Sequence, residues 1–158
     1  MSEQNNTSPY YELEETINTI LTGDTLKSAL DFVDFMKAND LTINGAEISY
    51  DSKPVCYMHL DGNKDYPSPW TIWTEGDYSR EHEDIPMDER MKEIAWANIN
   101  TCDDCGAGCS PGNRKMIFGK EFDNVCSADM AFYMPDAETL ECLKRLLEMR
   151  KNDIIKDL

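Results

Sequence analysis

The chain has 158 residues, 41% of them hydrophobic, and sets 15 basic against 31 acidic side chains for a net charge of −16. That length fits one domain able to bury a core without covalent staples. The acidity sets a heavy electrostatic penalty on nucleic acid and on anionic lipid surfaces, and no run approaches the ~20 apolar residues of a membrane span.

Residues 1–9, MSEQNNTSP, are polar and predict a flexible N-terminus, with residues 10–158 forming a single α+β domain. This opening has neither the basic start nor the apolar run of a secretory signal, so the expected location is cytoplasmic. From Tyr10, YYELEETINTIL places Tyr10, Leu13, Ile17, Ile20 and Leu21 at helical spacing, which predicts a first amphipathic helix ended by Gly23. Asp24 is suited to cap a second helix, TLKSALDFVDFMKAN, because its carboxylate can accept the free N–H groups of a first turn. Leu26, Ala29, Leu30, Val33 and Met36 form that helix's buried stripe, widened by Phe32 and Phe35.

The texture then turns to short runs rich in β-branched and aromatic residues: AEISY, VCYMHL and WTIWT. DSKP and DGNKDYPSP between them are turn chemistry, so the three runs predict an antiparallel meander. VCYMHL lacks clean alternation, which predicts a central strand covered on both faces. WTIWT sets Trp70 and Ile72 on one face and Thr71 and Trp73 on the other. GDYSREHEDIP reads as an acidic exposed loop, and Pro86 suits the first turn of a third helix, PMDERMKEIAWANIN. KMIF and ADMAFYM predict two more strands. Asp136 is placed to cap a last helix, AETLECLKRLLEMRKNDIIKDL, with Leu140, Leu143 and Leu147 inward. Helices and strands are largely segregated, so the expected fold is α+β: an antiparallel sheet of about five strands, helices packed against it, and a cysteine-rich loop.

That loop is TCDDCGAGCSPGNRK at residues 101–115, and Cys126 follows in GKEFDNVC. Cys102 and Cys105 have the C-x2-C-G form of a metal knuckle, in which two thiolates reach one ion and the glycine lets backbone N–H groups turn towards sulfur. Cys109 follows after three residues and Cys126 after sixteen more. A structural zinc held by Cys102, Cys105, Cys109 and Cys126 is the favoured reading, with Arg114, Lys115 and Lys120 near enough in sequence to offset the thiolate charge. Disulfides, reduced thiols without metal and an iron–sulfur cluster are the alternatives. Cys56, inside VCYMHL, and Cys142, inside a helical apolar pattern, read instead as buried core thiols. His59 on its strand reads as a structural histidine, and His82 in REHED as solvent-facing.

Tyr50, Tyr57, Tyr66, Trp70, Trp73 and Tyr78 gather in the meander and its links. Aromatics favour strands and dominate burial, so the set reads first as core. The functional alternative is a pocket lined by Tyr57, Trp70, Trp73 and Tyr78 that stacks a small aromatic or cationic ligand. No phosphate-binding glycine loop, nucleophile elbow or H-E-x-x-H motif is present, and no catalytic residue is assigned.

Over KEIAWANIN, CDDCGAGCSPGNRK, IFGKEFDNVC and PDAETLECLKRLLEMRKNDI, the sequence resembles a family of small uncharacterised bacterial proteins, roughly across residues 25–155. The matching positions are Cys102, Cys105, Cys109 and Cys126, with Gly112, Arg114, Phe118, Gly119 and Asp123 around them. The resemblance implies no activity. Three functional classes follow from the residues: a metal-stabilised binding or sensor module with an aromatic pocket; a thiol redox or metal-responsive protein using the 102–126 cysteines; and an acidic domain that meets a basic protein partner.

Overall fold

The computed structural model describes residues 9–60, 69–74, 88–101 and 113–156. In chain order these form α1 (Pro9–Ile20), α2 (Gly23–Ala38), β1 (Thr42–Asn44), β2 (Glu47–Tyr50), β3 (Lys53–Leu60), β4 (Trp70–Thr74), α3 (Glu89–Ala97), β5 (Ile99–Thr101), β6 (Asn113–Ile117), β7 (Lys120–Tyr133) and α4 (Ala137–Lys156). The fold is α+β. Its sheet runs β1-β2-β3-β4-β7-β5, with β6 also paired to β7, and every pairing is antiparallel.

Among the described residues the sheet has seven strands, not about five. The two extra strands, β1 and β5, are three residues each, too short for alternation to show. β5 lies inside the run that reads as the end of the third helix. That helix stops at Ala97, where Asn98 turns its side chain back to donate to the Ile94 carbonyl at 2.8 Å. β7 also begins well before ADMAFYM, because it pairs with β6 at its start and with β4 near its end.

The helix starts follow local chemistry with one exception. Met91 N–H donates to Asp88 Oδ1 at 2.8 Å at the start of α3, and Thr139 N–H donates to Asp136 Oδ1 at 2.8 Å at the start of α4. The second of these is the expected cap. Asp24, however, is not a cap. The chain enters α2 through Thr22 and a left-handed Gly23 (φ 61°), leaving Asp24 in the first turn, where its charge complements the helix dipole. Pro86 and the acidic loop before α3 lie outside the described residues.

The irregular run VCYMHL is explained by a β-bulge. Ile48 pairs with Cys56 and Ser49 with Pro54, which leaves Val55 as the extra residue. Val55 and Cys56, adjacent in sequence, are both fully buried in the core. β3 is an interior strand as expected. Its lost alternation comes from the bulge and not from cover on both faces, for Tyr57 and His59 stay partly exposed.

Beyond the bulge the pleat is regular, and the helices pack on one face. Ile48, Cys56, Trp70, Ile72, Met130 and Phe132 meet Ile17, Phe32, Val33 and Met36 of α1 and α2, and Leu140, Leu143 and Leu147 of α4. The Phe32 and Trp70 rings lie tilted, 6.4 Å between centroids. Each such side chain contributes about 1.5–3 kcal/mol on burial.

The β6–β7 hairpin is tied separately to α3. Its turn, Phe118–Gly119, has φ of 51° and 86°, positive at both central residues as tight hairpin turns require. Phe118 accepts the left-handed strain while buried in the core. Trp96 Nε1 donates to the Ile117 carbonyl at 2.7 Å, and Lys120 Nζ lies 5.2 Å from the centre of the Trp96 ring. Arg90 joins α3 to α4 through two 2.9 Å hydrogen bonds to Glu138.

The bond from Thr139 N–H holds the Asp136 carboxyl below the usual aspartate range. Asp136→Ala is expected to lower unfolding free energy by about 1 kcal/mol at neutral pH. Because the folded-state pKa is depressed, the stabilisation is full above the ordinary aspartate value of about 3.9 and is lost as pH falls through the lowered one. Urea titrations of both proteins at pH 7 and pH 2.5 check this: the gap between midpoints narrows in acid.

Candidate functional site

With the helices on one face, pleat alternation fixes what the other face presents. Register aligns Glu47 with Tyr57, Tyr57 with Trp73, and Trp73 with Ala131, one row across β2, β3, β4 and β7. The next row aligns His59 with Thr71 and Thr71 with Tyr133. Directly opposed side chains in such pairs have Cβ atoms about 4.5–5.5 Å apart.

This outer face is mixed in exposure. Tyr57 and Trp73 are half-buried, Tyr133 is 51% exposed, and the smaller Thr71 and Ala131 are buried. Glu47 is half-buried and accepts a 2.7 Å hydrogen bond from the Ser49 hydroxyl, which fixes its carboxylate on this side of β2. The two rows contain one carboxylate and neither lysine nor arginine. Chemically the face offers aromatic rings beside a negative charge, a combination that attracts cations and planar groups.

The four aromatics expected to share a pocket do not act together. Trp70 is fully buried on the helix side, against Phe32, and is a core residue. Alternation in WTIWT had already separated it from Trp73. Tyr57 and Trp73 do share a face and stand opposite each other. Tyr78, like Tyr66, lies outside the described residues. Tyr133 and Glu47 were missed. Tyr133 ends β7, and only the pairing of β7 with β4 brings it beside Thr71; no local pattern in the sequence carries that information.

Cys102, Cys105 and Cys109 lie outside the described residues, as does the side chain of Cys126, whose backbone belongs to β7. The described backbone shows how the sheet approaches them. Thr101, the residue before Cys102, pairs with Val125, the residue before Cys126. Asn113, the first residue of β6, pairs with Val125 as well. Among the described residues no group of three or more histidine, cysteine and acidic side chains could hold a metal ion.

Two of the three cations expected to offset thiolate charge, Arg114 and Lys120, have other partners. Arg114 lies 2.9 Å from Asp123 and 3.2 Å from Glu121, while Lys120 sits over the Trp96 and Phe122 rings. Cys56 and Cys142 are core thiols, as expected. Burial pushes the Cys56 thiol far up, and burial with the Asp88 charge pushes Cys142 up to about 12.

The described surface also has clefts. One, of about 460 Å³, lies between the starts of α2 and α4 and is lined by Asp24, Lys27, Met134, Asp136 and Glu138. Another, of about 330 Å³, lies under α1 and is lined mainly by Leu13, Ile43, Met58 and Leu60. Among the described residues no helix is long and apolar enough to cross a membrane. No protein-family model, curated protein or solved structure matches the chain.

The division of the tryptophans between the two faces has a thermodynamic consequence. Trp70→Ala is expected to cost about 3–5 kcal/mol, the range for deleting a buried aromatic side chain. Trp73→Ala, on the half-open face, is expected to cost less than half as much. Denaturant titrations of the two variants check the difference, and equal losses would return Trp70 and Trp73 to one environment.

Proposed function

We propose that the chain is a small binding module: a helix-backed sheet whose outer face stacks a small planar or cationic ligand, with the β5–β6–β7 end pinned by a structural zinc on Cys102, Cys105, Cys109 and Cys126. The observation that carries the ligand reading is the register of Tyr57 opposite Trp73, on the face turned away from the helices. A pair of half-buried aromatics there fills no part of the described core. It supplies flat apolar area with polar tips, the surface on which a small ligand stacks.

The zinc reading draws support from the pairing of Thr101 and of Asn113 with Val125. Cys102 and Cys126 each follow directly on one member of a paired couple, so the sheet itself limits how far apart these two ligands can lie. Four thiolates would close the coordination of the ion, which makes its role structural and not catalytic. The metal then supplies folding energy, since its binding free energy adds to the stability of the folded chain. The resemblance to small bacterial proteins with the same cysteine spacing is compatible with this reading and adds no activity to it.

Two measurements test the proposal. Titration with a panel of aromatic and cationic compounds is expected to change tryptophan emission, and Trp73→Phe to remove the response while leaving the protein folded; emission indifferent to the whole panel would sink the ligand reading. Native mass spectrometry is expected to find one zinc, lost together with stability in both Cys102→Ser and Cys126→Ser. A metal-free mass carrying two disulfides would refute the zinc.

A further inference from the structure

We infer that the ligand of the outer face is a small organic cation with a diffuse charge, of the quaternary ammonium class, held over Tyr57 and Trp73 with its charge towards Glu47. The inference rests on the binding reading above and narrows it from planar or cationic ligands to one class.

Charge complementarity carries the choice. The row across the sheet runs Glu47, Tyr57, Trp73, and register makes each the direct neighbour of the next. The faces of aromatic rings carry negative potential, and Trp and Tyr hold cations better than Phe does. A carboxylate at the end of such a row adds an attraction of the same sign. The hydroxyl of Ser49 donates to Glu47 at 2.7 Å, so the carboxylate is held in place before a ligand arrives. Ser49 itself is 6% exposed and cannot swing away into solvent.

The same row disfavours the other classes. An anion would meet Glu47 with neither a lysine nor an arginine in either row to receive it, on a chain of net charge −16. A hard divalent cation takes six or more oxygen ligands, and the two rows hold a single carboxylate. A neutral planar ligand would stack on the rings but gain nothing from the charge of Glu47. A diffuse organic cation keeps its weak hydration cost low and uses the rings and the carboxylate together.

The test compares choline with its uncharged carbon isostere, 3,3-dimethylbutanol, by tryptophan fluorescence on the full chain. Trp73→Phe identifies the responding residue among Trp70, Trp73 and Trp96. Choline is expected to bind about tenfold more tightly than the isostere, the ratio that corresponds to a moderately desolvated cation–π contact. Glu47→Gln is expected to weaken choline severalfold and leave the isostere unchanged, with an unaltered thermal midpoint showing that the fold is intact. Equal affinity for the two probes overturns the inference while the binding reading stands, and so does a Glu47→Gln protein that holds choline as well as the parent. Binding of neither probe also overturns this inference, and the binding reading falls with it only where the aromatic compounds of the panel leave the emission unchanged as well.

Discussion

The contact on which the rest depends is that of Phe32 with Trp70, where α2 meets the middle of the sheet. Both side chains are fully buried, their rings 6.4 Å apart. The contact decides which face of β4 looks inward. Side chains alternate with a period of two, so burying Trp70 commits Ile72 to the core and sends Thr71 and Trp73 to the other side. The decision passes through the register to β3 and β7. Tyr57, His59, Ala131 and Tyr133 therefore share the outer face because Trp70 does not. A one-residue slip would exchange the two sets, and it would move Trp70, Ile72 and Phe132 out of the core together, a change of many kcal/mol.

Much of this was legible in the sequence where a period is long enough to be seen. The helical stripes of α1, α2 and α4 cover three or more turns, and the residues the spacing selects turn inward, although α4 also buries Leu146, Met149 and Ile154, which it did not select. The cap at Asp136 follows from a short polar residue standing before a helical run, whereas Asp88, which caps α3, stands inside the run that reads as helix from Pro86. What failed to show was set by length or by distance along the chain. β1 and β5 have three residues each, below the span at which alternation differs from chance. β7 is mostly polar before Val125, because it pairs there with the exposed hairpin strand β6 rather than with the core, so its first half carries no strand pattern. The bulge at Val55 removes one beat from β3 and imitates a fully buried strand.

The candidate site divides along the same line. That Trp73 and Trp70 point apart follows from five consecutive residues. That Tyr57 faces Trp73, with Glu47 beyond it and Tyr133 one row away, needs the order of the strands, and strand order is a long-range property. Grouping aromatics by nearness in sequence joined Trp70 to a set from which the pleat excludes it. The cysteines present the opposite case. Their spacing is a local signal of metal chemistry, and the long-range contribution of the sheet is to pair the residues before Cys102 and Cys126 with each other.

Charge completes the account of why the outer face has its character. With 15 bases to 31 acids, each cation has many available partners, and several are used to bridge elements. Lys37 reaches Glu14 between α2 and α1, Lys144 reaches Asp31 between α4 and α2, and Arg90 reaches Glu138 between α3 and α4. Exposed pairs of this kind add little to stability, because water and salt screen them. Each joins two helices, so both charges of every pair lie in the helix layer. The remaining cations with ring partners follow the same habit: Lys120 lies on Trp96 and Phe122, and Lys151 on Tyr50, which faces α4. Among the described residues, the rows through Tyr57 and Trp73 contain aromatic rings and one carboxylate, and neither row includes a lysine or an arginine.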